Sequence, residues 1–339
     1  MTGQEIIRTA VIGAGAMGRH HTRLYQDLPG SQLMAVADAD ESAGKLIAER
    51  HGARYYSDYL KMFDAEQPQA VSIAVPTTLH REVAEAALRQ GIHVLIEKPI
   101  AATVDDGQTI IDLAHNQGVI CMVGHVERFN PAVVELKRRL DQGELGRIFQ
   151  IVACRKGPFP VRIRDVGVVI DLAAHDLDVM WYLTGSEVTR VYAETARQVH
   201  VSHEDMLSGL LRFVDGTVGV LDINWLTPTK LRELSVIGER GMFQVNYLTQ
   251  DLFFFENAQA DEVWDTLSIL RGVAEGRMIR HVVAKREPLR TELETFLAAV
   301  RGQKVTIVSG EDGLRALRQA QAIVQSGLEN HPVAMSAAM

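Results

Sequence analysis

Short apolar runs alternate with amphipathic stretches through the first 125 residues. The runs at 8–12, 32–38, 71–75, 92–96 and 119–123 are rich in Val, Ile, Leu and Ala, and each has the length of a buried strand. Between them, 16–27, 41–51, 79–90 and 103–117 carry helical patterning. Several of these end at a glycine (Gly52, Gly91 and Gly118), where a left-handed cap would sit. Buried strands in alternation with helices predict a parallel, doubly wound α/β sheet. The rhythm then changes. A helix is predicted over 131–142, after Asn130-Pro131, and another from about 171 to 183. Strands follow to about 256, with Asp215-Gly216 as a hairpin turn. Helices at 288–300 and 311–326 close the chain. Strands after isolated helices predict a mixed or mostly antiparallel open sheet with helices on one face. The expected organisation is therefore a nucleotide-type α/β domain over 1–125 and an α+β domain over 126–330, with the final helices free to pack back on the first.

Composition narrows the function. At 339 residues, 47% apolar and 23% charged, the chain has the make-up of an ordinary globular protein. A net charge of −8 argues against nucleic-acid or anionic-membrane partners, which need a basic face. Local basic clusters leave room for an anionic small molecule. Cys121 and Cys154 stand in no metal or redox spacing, so neither a metal site nor a disulfide is expected, and reduced thiols suit a cytoplasmic protein. The apolar run 10–12 breaks at once into glycines, unlike a signal peptide, and no stretch approaches the roughly 18 apolar residues of a membrane span.

The break itself carries chemistry. Gly13-Ala14-Gly15-Ala16-Met17-Gly18 has the G-x-G-x-x-G spacing. Gly13 permits a tight strand-to-helix turn, Gly15 lets a pyrophosphate approach the backbone, and Gly18 lets the helix pack close to the sheet. The helix that opens at Ala16 and Met17 offers free N–H groups to phosphate. Twenty residues on, Asp38 ends the second strand, where a carboxylate accepts hydrogen bonds from the adenosine ribose and repels a 2′-phosphate. Ala39-Asp40-Glu41 follow it with no basic group. The motif predicts NAD, rather than NADP, as cofactor.

Three further stretches stand out. Glu97-Lys98-Pro99 follows the fourth predicted strand, at the end where open α/β sheets bind ligands, so Lys98 is expected to point toward the cleft; without that context it reads as a solvated surface lysine. Asp171 and His175 stand four apart on a predicted helix, which puts both on one face, with Asp171 placed to tune a proton-accepting histidine. The alternative is a helix N-terminal aspartate beside an incidental histidine. Gly124-His-Val-Glu-Arg128-Phe-Asn130-Pro131 comes off the fifth strand and places Arg128 and Asn130 at the domain junction.

G-x-G-x-x-G, Val75-Pro76-Thr77-Thr78-Leu-His80, Glu97-Lys98-Pro99 and Asp171-x-x-x-His175, in this order, resemble the Gfo/Idh/MocA oxidoreductase family over nearly the whole chain. The resemblance implies a Rossmann domain, a C-terminal domain with an open, mostly antiparallel sheet, and assembly through that sheet as a homodimer or homotetramer. It also implies that Lys98 hydrogen-bonds the reacting hydroxyl, that His175 is the acid/base and that Asp171 belongs to the same constellation. Pro76, Thr77, His80, Glu97 and Arg128 would serve the cofactor. Ala173 stands where the family more often has glycine.

The stretches 124–133 and 162–176 resemble the branch that oxidises UDP-N-acetylglucosamine at C3 and supplies a 3-keto sugar nucleotide to an aminotransferase for lipid A or other surface glycans. A diphosphate needs cations. Arg155, Lys156, Arg162 and Arg164 fall in and around one loop, and Lys230 and Arg232 follow Trp225; the alternative is that these charges pair with acidic neighbours. Arg128 and Asn130 join the expected substrate contacts. Two rival readings stay open: a dehydrogenase of a free polyol or aldose, and an NAD-binding regulator without turnover.

Overall fold

The computed structural model describes residues 5–160, 166–258 and 275–335. It divides into two units: Met1–Val126 with Glu287–Arg318, and Glu127–Arg286 with Gln319–Met339.

The first unit begins β1 (Ile7–Ile12), α1 (Ala16–Asp27), β2 (Ser31–Ala37), α2 (Glu41–Arg50), β3 (Arg54–Tyr56) and α3 (Tyr59–Glu66). It continues β4 (Ala70–Ile73), α4 (His80–Arg89), β5 (His93–Glu97), α5 (Val104–Gln117) and β6 (Cys121–Gly124). The strands pair in parallel in the order β3-β2-β1-β4-β5-β6. All four residues of β4 are buried, and β1 is buried but for Arg8, so these central strands read as apolar runs rather than alternating ones. The helices start where the sequence supplies caps. Asp40 accepts the Ser42 and Ala43 amides, Asp58 accepts the Leu60 amide and Thr103 accepts the Asp106 amide. The order reverses between β1 and β4, which opens a crevice at their carboxyl ends. A helix α8 (Pro288–Val300) packs Leu293, Phe296 and Leu297 into this unit and lies against α1.

The second unit holds α6 (Pro131–Asp141), β7 (Ile148–Lys156), a π turn over Val169–Ala173 and α7 (Ala174–Thr184). Strands β8 (Val188–Ala196), β9 (Met206–Phe213), β10 (Val218–Asn224), β11 (Leu231–Gly238), β12 (Gly241–Asn246) and β13 (Asp251–Asn257) follow. β14 (Glu275–His281) and β15 (Val333–Ala334) complete the set. Among the described residues they form one sheet of order β14-β13-β12-β11-β7-β10-β9-β8-β15. Every pairing is antiparallel except β7 with β10. One face, with Ile151, Leu221, Leu234, Val236 and Phe243, is packed with Leu177, Met180 and Ile323 into the core of this unit. The other is open, and Leu210 is 50% exposed on it. Ile323 belongs to α9 (Gly310–Glu329), whose residues to Arg318 count with the first unit and the rest with the second. No helix among the described residues is long and apolar enough to cross a membrane.

Candidate functional site

In the first unit the turn after β1 is shaped by what a side chain would strike. A Cβ on Gly13, whose φ is +97°, would stand 2.5 Å from Ala74 O, and one on Gly18 would stand 1.8 Å from Gly13 O. A Cβ on Gly15 would meet nothing within 4 Å, so the space above it is open. No side chain caps α1 and its first turn carries no acid, which leaves the amides near Ala16 and Met17 to an anion. Asp38 stands one residue past β2. Its Oδ2 accepts the Ala14 amide at 2.5 Å and its Oδ1 the Asp40 amide at 2.8 Å. A cavity of about 460 Å³ opens here, lined by Gly13, Gly15, Asp38, Asp58, Tyr59 and Pro76 among others. An anion cradle, an open approach over Gly15 and a carboxylate beside an apolar slot together fit the phosphate and adenosine parts of NAD. Asp58 is a second carboxylate on this cavity that the sequence did not single out. Its signal was present in Ser57-Asp58 ahead of a short apolar stretch.

Thr77 lies in a 3₁₀ turn, Thr77–Leu79, and is half-buried. His80 is buried, its Nδ1 2.9 Å from Pro99 O and its Nε2 3.0 Å from Val75 O, so it ties the turn after β4 to the turn after β5. The Lys98–Pro99 peptide is cis, and Lys98 is half-buried at the carboxyl end of β5. Glu97 is buried behind it, with Oε1 accepting from His21 Nε2 at 2.8 Å. His80 is thus tied to two turns, and Glu97 to α1, within the first unit.

In the second unit Asp171 lies in the π turn and His175 in the first turn of α7, both half-buried. The expected plain helix is corrected here: i→i+5 closure widens this turn and still keeps residues four apart on one side. Glu204 closes its N-terminus, accepting the Val169 amide on Oε1 at 3.1 Å while its carbonyl accepts the Val168 amide at 2.9 Å. The next residue, Asp205, is buried and accepts the amides of Gln198, Val199 and His200. Asp176, just after His175, is buried in a bidentate pair with Arg155, at 2.7 and 3.0 Å. Arg155 also reaches Glu127 at 2.9 Å. Burial, joined by the Glu127 charge, raises the Asp176 pKa although Arg155 opposes it.

The expected ligand cations divide. The Arg128 guanidinium is buried in a bidentate pair with Asp178, at 2.7 and 2.5 Å, beneath Trp181 and Tyr182. Asn130 caps α6, accepting the Ala132 amide, and donates to Tyr247 O at 3.0 Å. Arg155 is spent on carboxylates and Lys156 pairs with Asp222. Arg162 and Arg164 lie outside the described residues. The Lys230 stem and the Arg232 guanidinium both flank Gly157, and Arg232 Nη1 donates to the carbonyls of Lys156 and Leu231. Burial and the neighbouring Arg155 pull the Arg232 pKa down, against Asp176, Glu127 and Asp171, so the structure brings Arg232 and Asp171 into one electrostatic neighbourhood.

Sequence comparison extends the picture to relatives. The profile described as an oxidoreductase family with an NAD-binding Rossmann fold, Gfo/Idh/MocA, matches residues 7–125, and the GFO/IDH/MocA C-terminal domain matches residues 133–244. The chain belongs to the Gfo/Idh/MocA oxidoreductase family. UDP-N-acetylglucosamine 3-dehydrogenase of Acidithiobacillus ferrooxidans is 30% identical over 315 residues, 93% of this chain and 95% of its own. A solved structure of that name and source aligns with a TM-score of 0.84 at 29% identity, covering 94% of this chain and 97% of its own. Inositol 2-dehydrogenase 2 of Saccharopolyspora erythraea is 33% identical over 215 residues, 62% of this chain and 63% of its own. As a Gfo/Idh/MocA protein the chain is an NAD-dependent dehydrogenase acting on CH–OH groups, and its first unit is the NAD-binding Rossmann domain.

Proposed function

We propose that this dehydrogenase oxidises the C3 hydroxyl of UDP-N-acetylglucosamine to the 3-keto sugar nucleotide. The observation that carries the proposal is the near-complete alignment with a UDP-N-acetylglucosamine 3-dehydrogenase at 30% identity, where a myo-inositol 2-dehydrogenase aligned over a similar share is 27% identical. The Arg232 guanidinium beside Gly157 supports it, as one cation for a diphosphate, with Lys230 proposed beside it. Arg162 and Arg164 are proposed for the same diphosphate.

In this mechanism NAD⁺, held by the cradle at Gly15, Ala16 and Met17 and by Asp38, supplies the hydride acceptor. Lys98 donates a hydrogen bond to the reacting oxygen and stabilises the charge that grows there as the carbonyl forms. His175 takes the hydroxyl proton, and Asp171 tunes it. Glu204 and the Arg155–Asp176 pair fix the turn that presents both residues. The product is a ketone, and a partner aminotransferase would convert it to a 3-amino sugar for lipid A or another surface glycan. The two free cysteines suit the cytoplasm, and the open face of the large sheet, with Leu210 exposed on it, suits a homodimer or homotetramer.

The test offers NAD⁺ with UDP-N-acetylglucosamine, myo-inositol or glucose, with an amino donor and aminotransferase present to draw off ketone, and follows NADH. NADH with the UDP-sugar alone is the expected result. NADH with a free polyol would overturn the substrate. Lys98→Met should abolish turnover and leave NAD⁺ binding intact; loss of both together would remove Lys98 from its role.

A further inference from the structure

One charged side chain stands at the cofactor turn and has no part in the G-x-G-x-x-G spacing or in the mechanism. Arg19 is the fourth residue of α1. Its amide closes the first turn of the helix on Gly15 O at 3.1 Å, so the Ala16, Met17 and Gly18 amides ahead of it have no helical carbonyl to donate to. A helical side chain leans toward the N-terminus of its own helix. Arg19 does so, and its Nε donates to Ala14 O at 3.2 Å. The guanidinium is thereby moored on the residue between Gly13 and Gly15, the same residue whose amide goes to Asp38.

A single bond through Nε leaves both Nη groups over. Arg19 is exposed and has no carboxylate partner among the described residues. Arg23, one turn further along α1, is by contrast spent on Asp27 and Glu287. The charges around the turn give the unspent fork a use. Asp38 and Asp58 both line the cavity beside it, and carboxylates there oppose the approach of a diphosphate. A cation held at Ala14 O offsets them where the α1 amides and the open space over Gly15 receive phosphate. The planar fork of an arginine also matches phosphate oxygens in pairs.

We propose that Arg19 is a further cofactor-binding residue: moored by Nε on Ala14 O, it donates through its Nη groups to the diphosphate of NAD⁺. Phosphate oxygens could also reach a cation here from a 2′-phosphate, but Asp38 stands against that group. The proposal depends on NAD⁺ alone and is independent of which sugar the enzyme oxidises.

The experiment titrates the full chain calorimetrically, without sugar, with NAD⁺, ADP-ribose, adenosine and NADP⁺. It compares wild type with Arg19→Gln and Arg19→Lys and records a thermal melt of each. Arg19→Gln should weaken NAD⁺ and ADP-ribose by roughly tenfold and leave adenosine and the melting temperature as in wild type. Arg19→Lys, which keeps the charge and loses the fork, should fall between the two. Added salt should weaken NAD⁺ binding more in wild type than in Arg19→Gln. Wild-type affinity for NAD⁺ in Arg19→Gln would overturn the proposal. Equal losses for NAD⁺ and adenosine, or a lower melting temperature in both variants, would reduce Arg19 to a tether of the turn. A loss confined to NADP⁺ would move the guanidinium to the 2′ position and overturn the proposal as well.

Discussion

The three glycines of the cofactor turn differ in what a side chain would meet, and that difference separates folding from binding. A Cβ on Gly18 strikes backbone at Gly13 O, whereas one on Gly15 enters open space. Gly18→Ala should therefore lower the melting temperature and NAD⁺ affinity together. Gly15→Ala should fold as wild type and lose affinity alone, by roughly tenfold, about 1.4 kcal/mol. Thermal melts beside calorimetric NAD⁺ titration distinguish the two, and an unstable Gly15→Ala protein would mean that the open space has been misjudged. Asp38 invites a second substitution. Asp38→Ser removes the ribose acceptor and should relax the preference for NAD⁺ over NADP⁺, but Asp58 still lines the cavity. Only Asp38→Ser with Asp58→Asn should raise NADP⁺ turnover clearly, as the ratio of the two kcat/KM values would report. The glycines and Asp38 were legible in the sequence because their chemistry lies within one strand–turn–helix. Asp58 was passed over, because the cap signal of Ser57-Asp58 stands between β3 and α3, which are too short to register as a pattern.

Elements explain where the expected ligand contacts went. Arg128 finds its partner on α7, 50 residues away, and Arg155 lies on β7 with Asp176 on the same helix α7. Nothing local to either arginine distinguishes a ligand contact from a buried ion pair, since the deciding carboxylate arrives only when the helix packs. The sequence placed α7 well and left β7 unassigned. β7 pairs on one side with β10 and on the other with β11, both far along the chain, so no hairpin signal marks it. The Arg128–Asp178 pair is buried on both sides, and removing one partner leaves a charge stranded in the core. Arg128→Met should cost about 3–5 kcal/mol in urea unfolding, and Arg128→Met with Asp178→Leu should recover part of it. A loss below about 1 kcal/mol would show the pair to be screened like a surface bridge. Because the same helix carries His175, turnover should fall with the single variant even where the protein remains folded.

For the whole molecule, the alternation of strand and helix was enough to predict a Rossmann unit followed by an open sheet, whereas stability against acid depends on histidines whose surroundings only the fold supplies. His93 opens β5 in the first unit, and its Nδ1 accepts the Ile120 amide at 2.9 Å. Burial pushes its pKa below the usual 6.5, and a proton on Nδ1 would break that hydrogen bond. His281 ends β14 in the second unit, with its ring 6.0 Å from that of Phe243. Burial first, then the Arg139 charge, lower its pKa, although Glu144 and Glu135 oppose. For such a histidine the unfolded chain binds more protons than the folded one between the depressed value and 6.5, so unfolding becomes easier as protons are added. The stability each contributes is fully present above pH 6.5 and is lost as pH falls through the window beneath it. The melting temperature should hold level from pH 8 to 7 and fall between pH 6.5 and 5.5, in a range where ordinary carboxylates are still ionised. Asn in place of His93 keeps an acceptor for the Ile120 amide but cannot be protonated, and Phe in place of His281 keeps the ring contact. His93→Asn with His281→Phe should therefore flatten the fall across that interval while leaving the melting temperature at pH 8 nearly unchanged. A variant that loses stability between pH 6.5 and 5.5 as steeply as wild type would put the acid sensitivity in other groups and return both histidines to ordinary core residues.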